Sequence, residues 1–148
     1  MINERFVPYS VNLNKRAGEF GRFNVAWTPT VVIASPKGVE QYRIEGYLPP
    51  DEFRAQLLMG LARVEFMSKH FDGAKELYSR VVQEHAGSFV EPEALYWRAV
   101  ADYNQSRSAE PLEQVAEELS KRFGGSIWAV KASIWQPAET PASRASLK

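Results

Sequence analysis

The side chains best suited to acid–base or metal chemistry are isolated in this sequence. His70 and His85 are the only histidines among the 148 residues, and neither lies at ligand-like spacing to a carboxylate pair. Histidine is sensitive to the dipole at a helix end, so helix-end or surface roles are favoured. We predict no catalytic residue, no bound metal and no cofactor.

Adjacent carboxylates and common catalytic motifs give no site either. Asp51-Glu52 and Glu117-Glu118 lie in predicted helices, where neighbours in sequence point in different directions. A Gly-rich phosphate loop, Gly-x-Ser-x-Gly and His-Glu-x-x-His are missing from the sequence. The lack of cysteine excludes disulfides, thiolate metal sites and thiol redox chemistry by this chain alone. We therefore expect a protein that is not an enzyme.

Charge and hydropathy narrow the classes of partner. Eighteen basic and eighteen acidic residues cancel to a net charge of +0 and are interleaved, whereas a nucleic-acid footprint needs a basic patch. No apolar run approaches the roughly 20 residues of a membrane span. Met1 to Arg5 lacks the apolar core of a signal peptide. We expect no nucleic-acid partner, no membrane partner and a cytoplasmic location.

The opening third begins with a predicted strand and a short helix. Phe6 to Leu13 alternates between apolar and polar residues, which indicates a strand, although Pro8 removes one ladder hydrogen bond. A short helix with Asn14 as its N-cap follows. Asn24 stands just past that helix, where a left-handed residue is expected.

A hairpin and a long helix complete this region. The apolar run Val31 to Ala34 is typical of a buried strand. Ser35-Pro36-Lys37-Gly38 matches a type I turn, and Val39 to Gly46 reads as the returning strand. Glycine at 46 lets the backbone reverse, and a helix is predicted from about Asp51 to Lys69.

From Phe71 onward the sequence predicts only helices. Asp72 is the expected N-cap of the first of them, and Ser126 of the last. Residues 136–148 are rich in Pro, Ala and Ser and are predicted to form a disordered tail. The helices are separated by glycine and proline breaks at Gly87, Pro92, Pro111 and Gly124-Gly125.

The order strand, short helix, Thr-Pro, hairpin, glycine, long helix resembles the C-terminal half of the thioredoxin fold. The resemblance rests on Phe6 to Leu13, Trp27-Thr28-Pro29-Thr30, Pro36-Lys37-Gly38 and Gly46. It implies a cis Thr28–Pro29 bond, against the base rate for X–Pro bonds, which favours trans. The family's Cys-x-x-Cys motif is missing, so the resemblance implies the shape without the oxidoreductase chemistry.

The later helices, from about Gln56 to Trp135, resemble tetratricopeptide-type repeats, which stack helix pairs and serve protein contacts. The combination looks like bacterial thioredoxin-like proteins that continue into such a tail. The predicted fold is α+β. A partial thioredoxin-like unit spans 1–55, and an antiparallel helical bundle that shares the long helix spans 51–135. The repeat-like positions are Leu58, Leu61, Ala62, Ala74 and Tyr78, echoed by Leu95, Ala99 and Tyr103.

Trp27, Thr28 and Pro29 are the candidate peptide-binding residues. In the resembled family, residues beside this proline present backbone groups to an extended peptide, which implies docking by strand addition. The alternative, which the burial of large aromatics favours, is that Trp27 packs beneath the long helix as core. Tyr96 and Trp97 are candidate interface residues, because adjacent helix positions cannot both face inward and exposed aromatics are enriched at interfaces.

The predicted function is a non-catalytic protein-interaction or assembly module whose partner is a protein or a peptide. The alternative is a C-terminal fragment of a thiol–disulfide oxidoreductase with its cysteines upstream of Met1. In the full thioredoxin fold, another strand lies between the Phe6 strand and the Val31 strand. Its absence predicts either a rearranged three-stranded sheet or a homodimer that completes the open edge.

Overall fold

The computed structural model describes residues 2–12 and 14–136. The chain divides into two compact units, Met1–Tyr47 and Leu48–Lys148. Two antiparallel strands precede a series of helices, which confirms the predicted α+β class. The predicted sharing of the long helix by both regions stays a prediction. Apart from Gln136, the predicted tail lies outside the described residues.

The first unit contains two short helices and a hairpin. The helices are α1 (Ile2–Arg5) and α2 (Ala17–Arg22), and the strands are β1 (Thr30–Ala34) and β2 (Glu40–Glu45). The strands pair antiparallel, with Thr30 opposite Glu45. Gly38 donates its amide to the Ser35 carbonyl at 2.8 Å, which confirms the predicted turn. Ile33 and Ile44, one from each strand, are buried.

The strand predicted over Phe6 to Leu13 is wrong for its described part. Residues 6–12 have no regular structure, and the sheet of the described residues contains β1 and β2 only. A strand needs a partner for its backbone groups, and Pro8 offers no donor. Val7 and Tyr9, from the predicted apolar face, are 96% and 63% exposed. The three-stranded alternative is therefore wrong, while the homodimer stays a prediction.

Local backbone features explain how the chain enters and leaves the hairpin. Asn24 has the predicted positive φ, at 47°, and Gly46 has a φ of 83°. The Thr28–Pro29 peptide bond is cis. The predicted Asn14 cap is wrong, since Arg16 is the N-cap residue of α2. The backbone amide of Asn14 instead donates to the side-chain Oδ1 of Asn12 at 2.9 Å, in a turn that precedes the helix.

The second unit is a run of helices. They are α3 (Pro50–Met67), α4 (Phe71–Glu84), α5 (Glu91–Ser106), α6 (Glu110–Phe123) and α7 (Ile127–Ala132), followed by a 3₁₀ turn (Ser133–Trp135). Each helix packs against the next along the chain. Large core side chains are buried between them, including Leu58, Tyr78, Val81, Leu95 and Leu119. The tetratricopeptide-like character of these helices stays a prediction.

Two predicted helix caps have different outcomes. The Ser126 hydroxyl accepts the Ala129 amide at 3.1 Å, which confirms it as the N-cap of α7. The predicted Asp72 cap is wrong, because α4 begins at Phe71 and its N-cap residue is His70. Asp72 lies one residue inside the helix, where its carboxylate accepts a hydrogen bond from Gln105 of α5. None of the described helices is both long and apolar enough to span a bilayer.

Candidate peptide-binding site

The predicted peptide-binding residues lie in an exposed bend directly before β1. Trp27 is 70% exposed, and Thr28 and Pro29 are exposed as well. The alternative that Trp27 packs beneath the long helix, which belongs to the second unit, stays a prediction. Residues 27–29 form a bend, so they do not follow the inward–outward alternation of a strand. The large apolar side chain of Trp27 therefore did not by itself predict burial.

Two hydrogen bonds fix the ends of this bend. The Thr30 hydroxyl donates to the Trp27 carbonyl at 2.6 Å, and the Gly46 amide donates to the Pro29 carbonyl at 2.8 Å. Thr28 lies between them. Within residues 2–12 and 14–136, no hydrogen bond uses its amide or its carbonyl. One backbone donor and one acceptor thus remain for an added chain.

An arginine holds the segment that leads into the bend. Arg43 of β2 donates to the Phe23 carbonyl at the end of α2. It also pairs with Glu40 at 2.6 Å and with Glu45 at 3.4 Å. The hydrogen bond from Arg43 holds the pKa of Glu40 below its ordinary value. The short helix is therefore tied to the hairpin by a charged, hydrogen-bonded group.

These features lie in the part of the chain that one family model matches. Residues 1–60 match the family model of a thioredoxin-like domain. The match supports the thioredoxin-like resemblance for the first unit and the opening turns of α3. No curated protein and no solved structure matched the chain.

The candidate interface residues lie outside the thioredoxin-like match, in a cluster of aromatic rings. The Tyr96 ring stacks on Trp135 at a centroid distance of 4.8 Å, and the Trp97 ring meets Phe66 edge-on at 5.4 Å. Both Tyr96 and Trp97 are partly buried, so the expectation that one is exposed is wrong. The residues after α6 supply Trp128 and Trp135, and both rings contact Tyr96 on the face of α5 that was expected to be exposed. An interface role for the pair stays a prediction.

Charged groups that sequence reasoning missed surround this cluster. The Arg63 guanidinium lies 4.7 Å from the centroid of Trp97, and the Lys131 ammonium lies 4.1 Å from that of Trp128. Burial raises the pKa of Glu93, and the charges of Lys131 and Arg63 oppose the rise. Glu93 and Trp97 are four residues apart on one helix, a spacing that could have indicated their contact. Periodicity gives no such signal for groups on different helices.

The histidines have the predicted helix-end positions. His70 and His85 flank α4 at its two ends, and the His70 Nδ1 lies 2.9 Å from a Glu65 carboxylate oxygen. In the described part of the chain, no group of three or more His, Asp and Glu side chains is placed to hold a metal ion.

Proposed function

We propose that the chain is a non-catalytic protein-interaction module that binds an extended segment of a protein partner along Trp27-Thr28-Pro29. The observation that carries the proposal is the Thr28 backbone, whose amide and carbonyl have no hydrogen-bond partner among the described residues. The thioredoxin-like match over residues 1–60 supports it.

The chemistry of the bend supports strand addition as the mode of binding. Main-chain hydrogen bonds to Thr28 would supply affinity that is independent of the partner's sequence. The exposed indole of Trp27 would add a large apolar contact, and tryptophan is enriched among the residues that dominate binding energy. We therefore expect a segment with an apolar side chain beside Trp27.

Peptides selected on the full chain from a phage-displayed library test this proposal. Their affinity is then measured by fluorescence polarisation for the wild type and for Trp27→Ala. A hot-spot tryptophan contributes about 2 kcal/mol, so we expect affinity to fall about 30-fold.

The matched control for this experiment is Val39→Ala. Val39 is also an exposed apolar residue of the first unit, but it lies at the turn end of the hairpin. Its affinity should stay within about two-fold of the wild type, as for most interface-remote positions. Equal losses in the two variants would count against a site at Trp27.

A homodimer is the competing occupant of the same unit. If a second copy adds its strand, sedimentation velocity will show a concentration-dependent dimer, and the selected peptides will dissociate it. A dimer that Trp27→Ala leaves intact, together with no peptide binding, would contradict the proposal.

The redox alternative shares the support of the thioredoxin-like match. This sequence contains no cysteine, so that function would need cysteines supplied from outside it. Translation in frame upstream of Met1 separates the two functions. A Cys-x-x-Cys segment there would favour the oxidoreductase, and its absence would favour the interaction module.

A further inference from the structure

The segment formed by α7 and the 3₁₀ turn that follows it is apolar on two opposite sides. On the inner side, Ala129 and Ala132 belong to the buried core of the helical unit. On the outer side, Ile127, Val130 and Ile134 are 59%, 61% and 80% exposed. Their spacing of three and four residues places these side chains on one face. We refer to these three exposed residues as the α7 stripe.

The α7 stripe differs from the outer face of the preceding helix. The exposed residues of α6 are all polar or charged, as expected of a helix that meets water on one side. A helix that is apolar on both sides is normally covered on both sides. Because each helix of this unit packs against the next, the α7 stripe lies where one more helix would continue the series.

The residues that follow the 3₁₀ turn are chemically poor candidates to cover this stripe. Residues 137–148 contain one large apolar side chain, that of Leu147, among prolines, alanines and polar residues. They therefore offer a single large apolar contact to a stripe of three. A segment from another chain suits the stripe better.

The charge at the edge of the stripe indicates which chain. Lys131 is the only charged residue in 124–136, and it lies four residues after Ile127 and three before Ile134. Its ammonium lies 4.1 Å from the centroid of the Trp128 ring, and its charge also acts on Glu93 of α5. Among the described residues, no carboxylate oxygen lies within ion-pair distance of Lys131.

This lysine disfavours a second copy as the occupant. Two copies of α7 packed antiparallel about a two-fold axis, with their stripes in contact, would bring both Lys131 side chains to the same edge of the contact. Like charges placed together at an interface weaken association. A partner with an acidic residue at this edge gains an ion pair instead.

We propose that the α7 stripe binds an amphipathic α-helix of a protein partner, with an acidic residue of that helix facing Lys131. Burial of apolar side chains against Ile127, Val130 and Ile134 would supply the affinity, as when an amphipathic helix docks its apolar face on another protein. The ion pair would fix the orientation of the helix. This surface belongs to the second unit and is independent of the bend at Trp27.

The probe for this surface is a helical peptide selected on the full chain. The phage-displayed library contains peptides of about 18 residues, or five helical turns, with leucines at helical spacing and randomised flanking positions. We expect Asp or Glu to be enriched at one flank. No enriched peptide, or enrichment of Lys and Arg instead, would overturn the proposal.

The affinity of one selected peptide is then measured by fluorescence anisotropy. Val130→Glu should weaken binding at least about ten-fold, because it places a charge in an apolar contact. Ile134→Ser, a milder change, should weaken it about five-fold. Val39→Glu is the matched control, because Val39 is 57% exposed and lies in the first unit, and its affinity should stay within about two-fold. Equal losses in Val130→Glu and Val39→Glu would contradict the site.

A charge exchange tests the acidic partner residue. Lys131→Glu should weaken binding about five-fold, the factor that an exposed ion pair of about 1 kcal/mol represents. A peptide whose acidic flanking residue is replaced by Lys should regain that affinity with Lys131→Glu and lose it with the wild type. Equal affinity of Lys131→Glu for the two peptides would contradict the proposed pairing.

Three further measurements separate the other occupants. A dimer in sedimentation velocity that Val130→Glu dissociates would assign the stripe to a second copy and overturn the proposal. Tighter peptide binding by Leu147→Ser would assign the stripe to residues 137–148 and overturn it as well. Trp27→Ala should bind the helical peptide as the wild type does, so failure of this proposal is distinguishable from failure of the site at Trp27.

Discussion

The Gly46 amide donates a 2.8 Å hydrogen bond to the Pro29 carbonyl. This bond joins the end of β2 to the residue just before β1, so it fixes the point where the bend that contains Trp27 and Thr28 ends. Gly46 makes the bond with a φ of 83°, which glycine adopts readily and other residues do not. The shape of the proposed binding site therefore depends on a residue outside it.

Gly46→Ala should destabilise the first unit by about 1–2 kcal/mol, the cost of a left-handed backbone for a residue with a Cβ. Steric crowding is not the cause, because a Cβ at Gly46 would meet nothing within 4 Å. Urea unfolding followed by the ¹⁹F signal of 5-fluorotryptophan at Trp27 measures this change.

Gly18→Ala is the matched control for Gly46→Ala. A Cβ at Gly18 would also meet nothing within 4 Å, but this glycine lies within α2, where alanine is preferred. Its substitution should stabilise the helix by up to about 1 kcal/mol. Equal free energies of unfolding for the two variants would show that the backbone angle at Gly46 carries no cost.

Glu93→Gln should stabilise the protein at pH 7. Burial raises the pKa of Glu93 above its ordinary value of 4.5, so the ionised group costs stability at neutral pH. That cost is relieved as the pH falls through the folded-state pKa and then below 4.5, where the carboxyl is protonated in both states. The advantage of Glu93→Gln in urea unfolding should therefore disappear on acidification.

Glu117→Gln should change the stability at pH 7 in the opposite direction to Glu93→Gln. The hydrogen bond from Lys121 lowers the pKa of Glu117, so this carboxylate contributes stability above its ordinary value of 4.5. The variant should be slightly less stable than the wild type at pH 7, and the difference should vanish as the pH falls through the lowered pKa. Parallel pH profiles for the two variants would contradict both assignments.

Arg122→Ala should destabilise the helical unit more than Lys121→Ala, although both residues form ion pairs on α6. Arg122 reaches Glu91, whose side chain is 2% exposed, while Lys121 pairs with the exposed Glu117. Breaking a buried pair costs about 3–5 kcal/mol. Because Arg122 is itself 43% exposed, we expect about 2–3 kcal/mol. Loss of the exposed pair should cost less than about 1 kcal/mol. Equal thermal midpoints would contradict this difference.

Local sequence signals predicted the features that depend on neighbouring residues. The turn at Gly38, the positive φ of Asn24 and the Ser126 cap each follow from chemistry within four residues of the chain. A strand at Phe6 would need a distant partner for its hydrogen bonds, so the alternation of residues 6–12 alone did not determine their structure.

At the candidate sites too, features that depend on distant segments were not predicted from local sequence. The exposure of Trp27 and the partial burial of Tyr96 and Trp97 depend on which segments fold back over them. One pocket of the second unit is lined by residues of α3 and of the loop after α4, more than thirty positions apart, and no sequence pattern links them. Contacts between distant segments are therefore the part that the sequence did not predict.

Exchange of the Thr28 amide proton, measured by NMR, tests the central claim most directly. In the free protein this amide has no hydrogen-bond partner among the described residues, so its exchange should be fast. Saturation with a peptide selected on the full chain should slow the exchange about ten-fold, as expected for one new hydrogen bond of about 1–1.5 kcal/mol. A peptide that binds and leaves Thr28 exchange unchanged would contradict strand addition at this bend.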